Sequence, residues 1–231
     1  MLDERRTSTY AWGQPELVTK LEEIELAEQP CLVIRPRGAR AMYVLAHGAG
    51  AGMRHVFMTE MSEALAARGI ATLRYEFPYM RAGRAMPGKP ELAETTVQAI
   101  WAAAAKRYRT LPRFAGGKSY GARMTSRAHA ASPLAGVRGL IFLGYPLHPP
   151  GKPSIQRVAH IPNATGPMLF LTGSRDEFAE LGFLRPVVSM LGARAELAIL
   201  EGSDHGFTRP AAAIETLADR TTAWIDTNLD S

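Results

Sequence analysis

The chain of 231 residues contains a single cysteine. That excludes an intramolecular disulfide, and Cys31, set in the apolar run "CLVIRP", reads as a small buried hydrophobe rather than a reactive thiol. No run of about 18 apolar residues occurs, so no transmembrane helix and no membrane partner is expected. The first residues, "MLDERRTSTYAWG", lack the apolar stretch of a secretory signal. These absences make the cytoplasm the expected location. Charge of one sign is never concentrated: 27 basic and 22 acidic residues leave a net +5, yet no run of about five or six like charges exists. Nucleic-acid binding needs a concentrated basic patch and is not expected. The histidines are dispersed, with neither H-x-x-x-H nor C-x-x-C, so no metal site and no cofactor is expected. No internal repeat, low-complexity segment or linker is present.

What is there is an ordinary globular composition, 46% hydrophobic and 21% charged, long enough for a sizeable core. Short apolar runs alternate with longer helical patterns. Residues 31–36, 42–47, 70–77, 113–116, 139–144, 167–173 and 195–200 read as strands. The runs "GLIFLG" and "PMLFLTG" are continuously apolar, as in strands covered on both faces. Between 53 and 68, Phe57, Met61 and Leu65 recur every fourth residue beside Met58, an amphipathic helix stopped by Gly69. Val97, Ile100, Trp101, Ala104 and Tyr108 mark a second helix over 91–108. A third runs to about Ala131, and Ile214, Leu217, Trp224 and Ile225 close the chain with a fourth. This alternation predicts an α/β fold: a doubly wound, mostly parallel sheet with helices on both faces. One domain over 1–231 is expected, with 1–16 a loosely packed tail. Pro146, Pro149, Pro150, Pro153 and Pro162 crowd the gap between the strands ending at Gly144 and starting near Pro167, which leaves no room for a large helical lid.

The stretch "RFAGGKSYGAR" (113–123) admits two chemical readings. As the end of G-x-x-x-x-G-K-[ST] it would cradle phosphate. The first glycine of that pattern falls on Pro112, which offers no backbone N–H and the wrong dihedral angles. As G-x-S-x-G it is a nucleophile elbow, a serine on a tight strand-to-helix turn whose neighbours two positions away must be small. Gly117 and Gly121 meet that demand.

A serine nucleophile needs a base, and the base needs an acid to orient it. Among the histidines after Ser119, His129 is carried away along the elbow helix, and His160 has no chemistry around it. His205, in the glycine-rich loop "EGSDHGF" after the last strand, is the expected base, because a doubly wound sheet delivers such loops to the carboxyl edge of its strands. Asp176, in the loop after strand 167–171, is the expected acid; Glu177 and Asp204 are the alternatives. The negative charge developing on a substrate oxygen requires two preorganised N–H donors. Tyr120, next to the nucleophile, supplies one. The loop His47-Gly48-Ala49-Gly50-Ala51-Gly52 supplies the other from Ala49, with Gly48 as the alternative, while His47 reads as a structural loop holder. Glu76, Tyr79, Arg81, Arg84, Tyr145 and His148 follow strands and are expected at the mouth. Lys118, Lys152 and Arg123 add positive charge there, either to favour anionic substrates or to pair with local carboxylates.

The blocks "LAHGAGAGM" (45–53), "GGKSYGARM" (116–124), "LGYPLHPPGKP" (143–153), "LFLTGSRDEF" (169–178) and "GSDHGF" (202–207) resemble the α/β-hydrolase superfamily, in its small dienelactone-hydrolase-like branch. The resemblance implies Ser119 as nucleophile, Asp176 as acid and His205 as base. Dienelactone hydrolase itself uses cysteine where this chain has serine. The expected function is hydrolysis of an ester, thioester or related acyl bond of a small substrate through an acyl-enzyme. The alternative, since some relatives are non-enzymatic, is a non-catalytic scaffold or binding module of the same fold. The two differ in whether Ser119 Oγ and His205 Nε2 stand within hydrogen-bond reach.

Overall fold

Eight strands form one sheet in the computed structural model, which describes residues 21–229. The tail expected at 1–16 lies outside the described residues. The chain enters through β1 (Leu21–Leu26) and β2 (Gln29–Ile34), an antiparallel hairpin closed by Ala27 and Glu28, both at positive φ. That backbone matches the right-handed twist of the flanking strands. β1 is absent from the sequence-based expectations. Its "LEEIEL" is exposed or half-buried throughout, as befits an edge strand, so it carries no apolar run.

The remaining elements are β3 (Ala41–Ala46), α1 (Val56–Ala67), β4 (Ile70–Tyr75), α2 (Pro78–Arg81), α3 (Pro90–Arg107), β5 (Arg113–Lys118), α4 (Tyr120–Ala131), β6 (Val137–Leu143), β7 (Met168–Gly173), α5 (Leu181–Met190), β8 (Ala195–Leu200) and α6 (Ala213–Thr227). The sheet order is β1-β2-β4-β3-β5-β6-β7-β8. Every pairing from β4 to β8 is parallel, and only β1 and β2 run against their neighbours. The mostly parallel, doubly wound sheet is therefore present. β3, β4 and β7 are buried along their whole length, which explains their mostly apolar sequences.

Alternate strand residues serve two cores. Tyr43, Leu45, Phe114 and Ile141 pack with Phe57, Met61 and Leu65 of α1 and Leu217 and Trp224 of α6. Val44, Leu73, Ala115 and Phe142 pack with Val97, Ile100 and Trp101 of α3 and Leu184 and Val188 of α5. α5, like the short α2, is also missing from the expectations. Gly182 and Pro186 interrupt its pattern, yet Leu184, Val187 and Val188 still reach the core. The proline-rich segment between β6 and β7 holds two single 3-10 turns, Gln156–Val158 and Ile161–Asn163, and no lid. Among the described residues, no helix is long and apolar enough to cross a membrane.

From β3 the chain steps to β4 on one side, then crosses back to β5 on the other. The loops leaving β3 and β5 therefore part around a crevice at the carboxyl ends of the strands, where doubly wound sheets place their ligands. Ser119 lies at that point.

Candidate active site

Ser119 joins β5 to α4 with φ 50 and ψ −111. A non-glycine residue held there costs about 1–3 kcal/mol. The surroundings fix it: Ser119 N–H donates to Leu143 O at 2.9 Å, and Ser119 O accepts from Arg123 N–H at 3.1 Å. The neighbouring glycines are demanded by packing. A Cβ on Gly117 or on Gly121 would stand 2.5 Å from Ala46 O, and one on Gly116 would stand 1.8 Å from Ile141 O. The small residues of the elbow let β3, β5 and α4 close on one another.

His205 Nε2 lies 2.8 Å from Ser119 Oγ. Its Nδ1 lies 2.9 Å from each carboxylate oxygen of Asp176. Asp176 is buried at 3% exposure and is itself fixed by Phe178 N–H, which donates to Oδ1 at 2.9 Å. With Nδ1–H directed at the carboxylate, the Nε2 lone pair faces the serine hydroxyl. Burial pulls the His205 pKa below its ordinary value; the hydrogen bond to Asp176 opposes this and the charge of Lys118 adds to it. The imidazole is thus neutral, the form a base requires. Of the alternative acids, Glu177 is exposed. Asp204 is occupied by the Thr208 amide at 3.0 Å and hydroxyl at 2.7 Å.

The loop after β3 passes over Ser119 so closely that a Cβ on Gly48 would sit 3.8 Å from the serine Cβ. His47, fully buried, shapes this loop: Nδ1–H donates to Gly48 O at 2.8 Å and Nε2 accepts from Phe77 N–H at 3.1 Å. Among the described residues, the amides of Ala49 and Tyr120 donate to no backbone acceptor. Tyr120 N–H belongs to the first turn of α4, where the helix offers no partner of its own.

Ser119 and His205 open onto a cavity of about 290 Å³. Gly48, Ala49 and Lys118 line it near the serine. Its outer walls are Ala51, His55, Phe57 and Met58 on one side and Phe178 and Gly206 on the other. The expected mouth residues Glu76, Tyr79, Tyr145 and His148 are placed elsewhere. Glu76 accepts from Met53 N–H at 3.3 Å, beneath the loop. Tyr79 is buried and lines a separate pocket of about 220 Å³ behind Tyr120. Gly144 at φ 63 turns the chain so that Tyr145 enters the core, where its hydroxyl meets Ser126 Oγ at 3.0 Å. His148 is buried with Nδ1–H on Pro149 O at 2.9 Å. Arg81 reaches the carbonyl of Glu28, Arg84 and Lys152 are exposed, and Lys118, although it lines the cavity, places its ammonium on the His205 carbonyl. Phe57 and Met58 read as core from their helical spacing, and nothing in that spacing marks the first turn of α1 as a cavity wall.

A second serine–histidine contact exists. Ser126 Oγ lies 2.8 Å from His160 Nε2. Ser126 is 0% exposed, inside α4, with no opening for a substrate. Among the described residues, no carboxylate pairs with His160, and burial with the charges of Arg127 and Arg123 pushes its pKa down to about 4. This contact ties α4 to the segment before β7 and does not resemble a reactive pair. A larger cavity of about 510 Å³, between β2, β4 and α1 around Arg74, lies away from Ser119. Among the described residues, no group of three His, Cys, Asp or Glu side chains is arranged to hold a metal ion.

Residues 39–229 match the family model described as "Alpha/beta hydrolase domain". Several solved structures share the fold. TT1662 from Thermus thermophilus is 21% identical, with a TM-score of 0.71 over 92% of this chain and 98% of that one. A dienelactone hydrolase from Anabaena variabilis is 17% identical, with a TM-score of 0.74 over 91% and 97%. XC6422 from Xanthomonas campestris, described as a member of the a/b serine hydrolases without lid, is 17% identical, with a TM-score of 0.71 over 94% and 99%.

Proposed function

Since the chain belongs to the alpha/beta hydrolase family, we propose that it is a serine hydrolase cleaving an ester, thioester or related acyl bond of a small substrate. The observation that carries this reading is the line of contacts from Asp176 through His205 to Ser119, at 2.9 and 2.8 Å. Ser119 Oγ attacks the acyl carbon while its proton passes to His205 Nε2. The substrate oxygen takes up the displaced electron pair and faces the amides of Tyr120 and Ala49. As the tetrahedral species collapses, the alcohol or thiol leaves with the proton from His205. Water then gives its proton to the same nitrogen and attacks the acyl-enzyme, releasing the acid and restoring Ser119. Asp176 stays ionised and stabilises the transient imidazolium.

The cavity of about 290 Å³ beside Ser119, walled by Phe57, Met58 and Phe178, fits a short apolar acyl group. A lidless approach to the site supports small, soluble substrates; XC6422, a protein of the same fold, is described as a serine hydrolase without lid. The 2.8 Å Ser119–His205 contact supports turnover over the scaffold alternative. A fluorophosphonate probe tests the reading. Wild type is expected to be labelled and Ser119→Ala not. Unlabelled wild type, or equal labelling of both, overturns it.

A further inference from the structure

Lys118 ends β5 and immediately precedes Ser119. Its Nζ crosses the crevice and donates to the backbone carbonyl of His205 at 2.6 Å. The residue is only 9% exposed. Its ammonium lies 5.1 Å from the Phe207 ring centroid and 5.7 Å from that of Phe57, and these two rings stack on each other at 5.9 Å. Among the described residues, no carboxylate stands within ion-pair distance of it, and the main chain of His205 makes no other hydrogen bond. An ammonium buried without a paired anion is costly. A general hydrophobic contact would have been served as well by methionine.

We propose that Lys118 is a positioning residue for the base, tying the backbone of His205 to the strand that carries Ser119. The inference rests on the reading of Ser119 and His205 as nucleophile and base. The loop from Ser203 to Arg209 carries His205 between Asp204 and Gly206, with Phe207 next at φ 57. The loop is held by its own bonds, Asp204 to Thr208 and Ser203 Oγ to Arg209 O, and by the stack of Phe207 on Phe57, but none of these fixes the main chain of His205. The lysine provides a fixed anchor one residue from the nucleophile, so both partners of the 2.8 Å contact are referred to the same strand end. The cation also acts on the imidazole. Asp176 and Asp204 favour the protonated forms of both groups, while the charge of Lys118 disfavours protonation of His205. Burial holds the Lys118 pKa at about 8, so at neutral pH the ammonium is charged and opposes protonation of His205. Geometry and charge thus favour a fixed, neutral base.

Two variants separate the contributions. Lys118→Met removes charge and donor; Lys118→Gln removes the charge and keeps an N–H for the His205 carbonyl. In folded Lys118→Met, kcat for a p-nitrophenyl ester is expected to fall about tenfold or more with KM little changed, the loss of one charge-assisted hydrogen bond. Lys118→Gln is expected to recover most of kcat. In both, the His205 imidazole, followed by NMR, is expected to titrate at higher pH than in wild type. A Lys118→Met enzyme with wild-type kcat and an unmoved His205 titration overturns the proposal. If Lys118→Met does not fold, the titration of Lys118→Gln decides, and an unmoved value overturns it. Fluorophosphonate labelling of wild type is run beside these. Failure to label removes the hydrolase reading itself, whereas labelling with unchanged variants removes only the role of Lys118.

Discussion

Gly121 presses against the end of β3 so closely that a β-carbon on it would lie 2.5 Å from the carbonyl oxygen of Ala46 and 2.7 Å from that of His47. Both obstacles are backbone and cannot rotate away. Gly121→Ala is therefore expected to push α4 off β3, costing about 1–3 kcal/mol as overpacked sites do. The elbow moves with it. Thermal unfolding should show the lower midpoint, and fluorophosphonate labelling of the surviving folded protein should slow.

Asp176→Asn keeps the size of the side chain and an acceptor for Phe178 N–H, now 2.9 Å from Oδ1. It replaces a carboxylate that accepts from His205 Nδ1 with an amide that can donate to it, favouring the wrong tautomer. kcat is expected to fall roughly 10⁴-fold, the size of the effect known for an acid of this kind, with a KM change that is small by comparison. Steady-state kinetics on a chromogenic ester measures both.

The base must be neutral to accept the serine proton, and burial, partly opposed by Asp176 and reinforced by Lys118, lowers the His205 pKa from 6.5. Activity is thus expected to be level through neutral pH and to fall only below pH 6.5, as His205 takes up a proton. A pH profile of kcat/KM reads this limb in the free enzyme. The sign for stability follows: the folded state resists a proton that unfolded histidine binds, so this contribution is present above pH 6.5 and is lost as pH falls.

Phe57 walls the cavity beside Ser119 and stacks on Phe207. Phe57→Ala is expected to lengthen the cavity and move the acyl preference toward longer chains. The same change opens the core beneath α1 and should cost about 3–5 kcal/mol of stability. The ratio of kcat/KM for hexanoate and acetate esters should rise relative to wild type even as the unfolding midpoint drops.

The central strands were legible because β3, β4 and β7, covered on both faces, need mostly apolar sequence. β1 was not, since an edge strand can be rich in glutamate, and α5 was not, since Gly182 and Pro186 hide its apolar face. Ser119, Asp176 and His205 could be selected from chain order, because each follows a strand and so reaches one edge of the sheet. Tyr145 and His148 also follow a strand, but the turn at Gly144 sends them into the core. Chain order says which edge a loop occupies, not where its side chains point. Lys118 marks the same limit. Read as ending at 116, β5 leaves the lysine in a loop. Extended to Lys118, its period of two places the lysine on the face of Phe114, toward α1.

The backbone of Ser119, at φ 50 and ψ −111, is one that glycine adopts with less strain than serine. Ser119→Gly is for that reason expected to raise the unfolding midpoint while ending acyl transfer. At this position stability and chemistry are opposed, so a sequence drifting without demand for turnover would relax the elbow, lose the hydroxyl and keep the fold. A serine retained there is held against the preference of the folded chain.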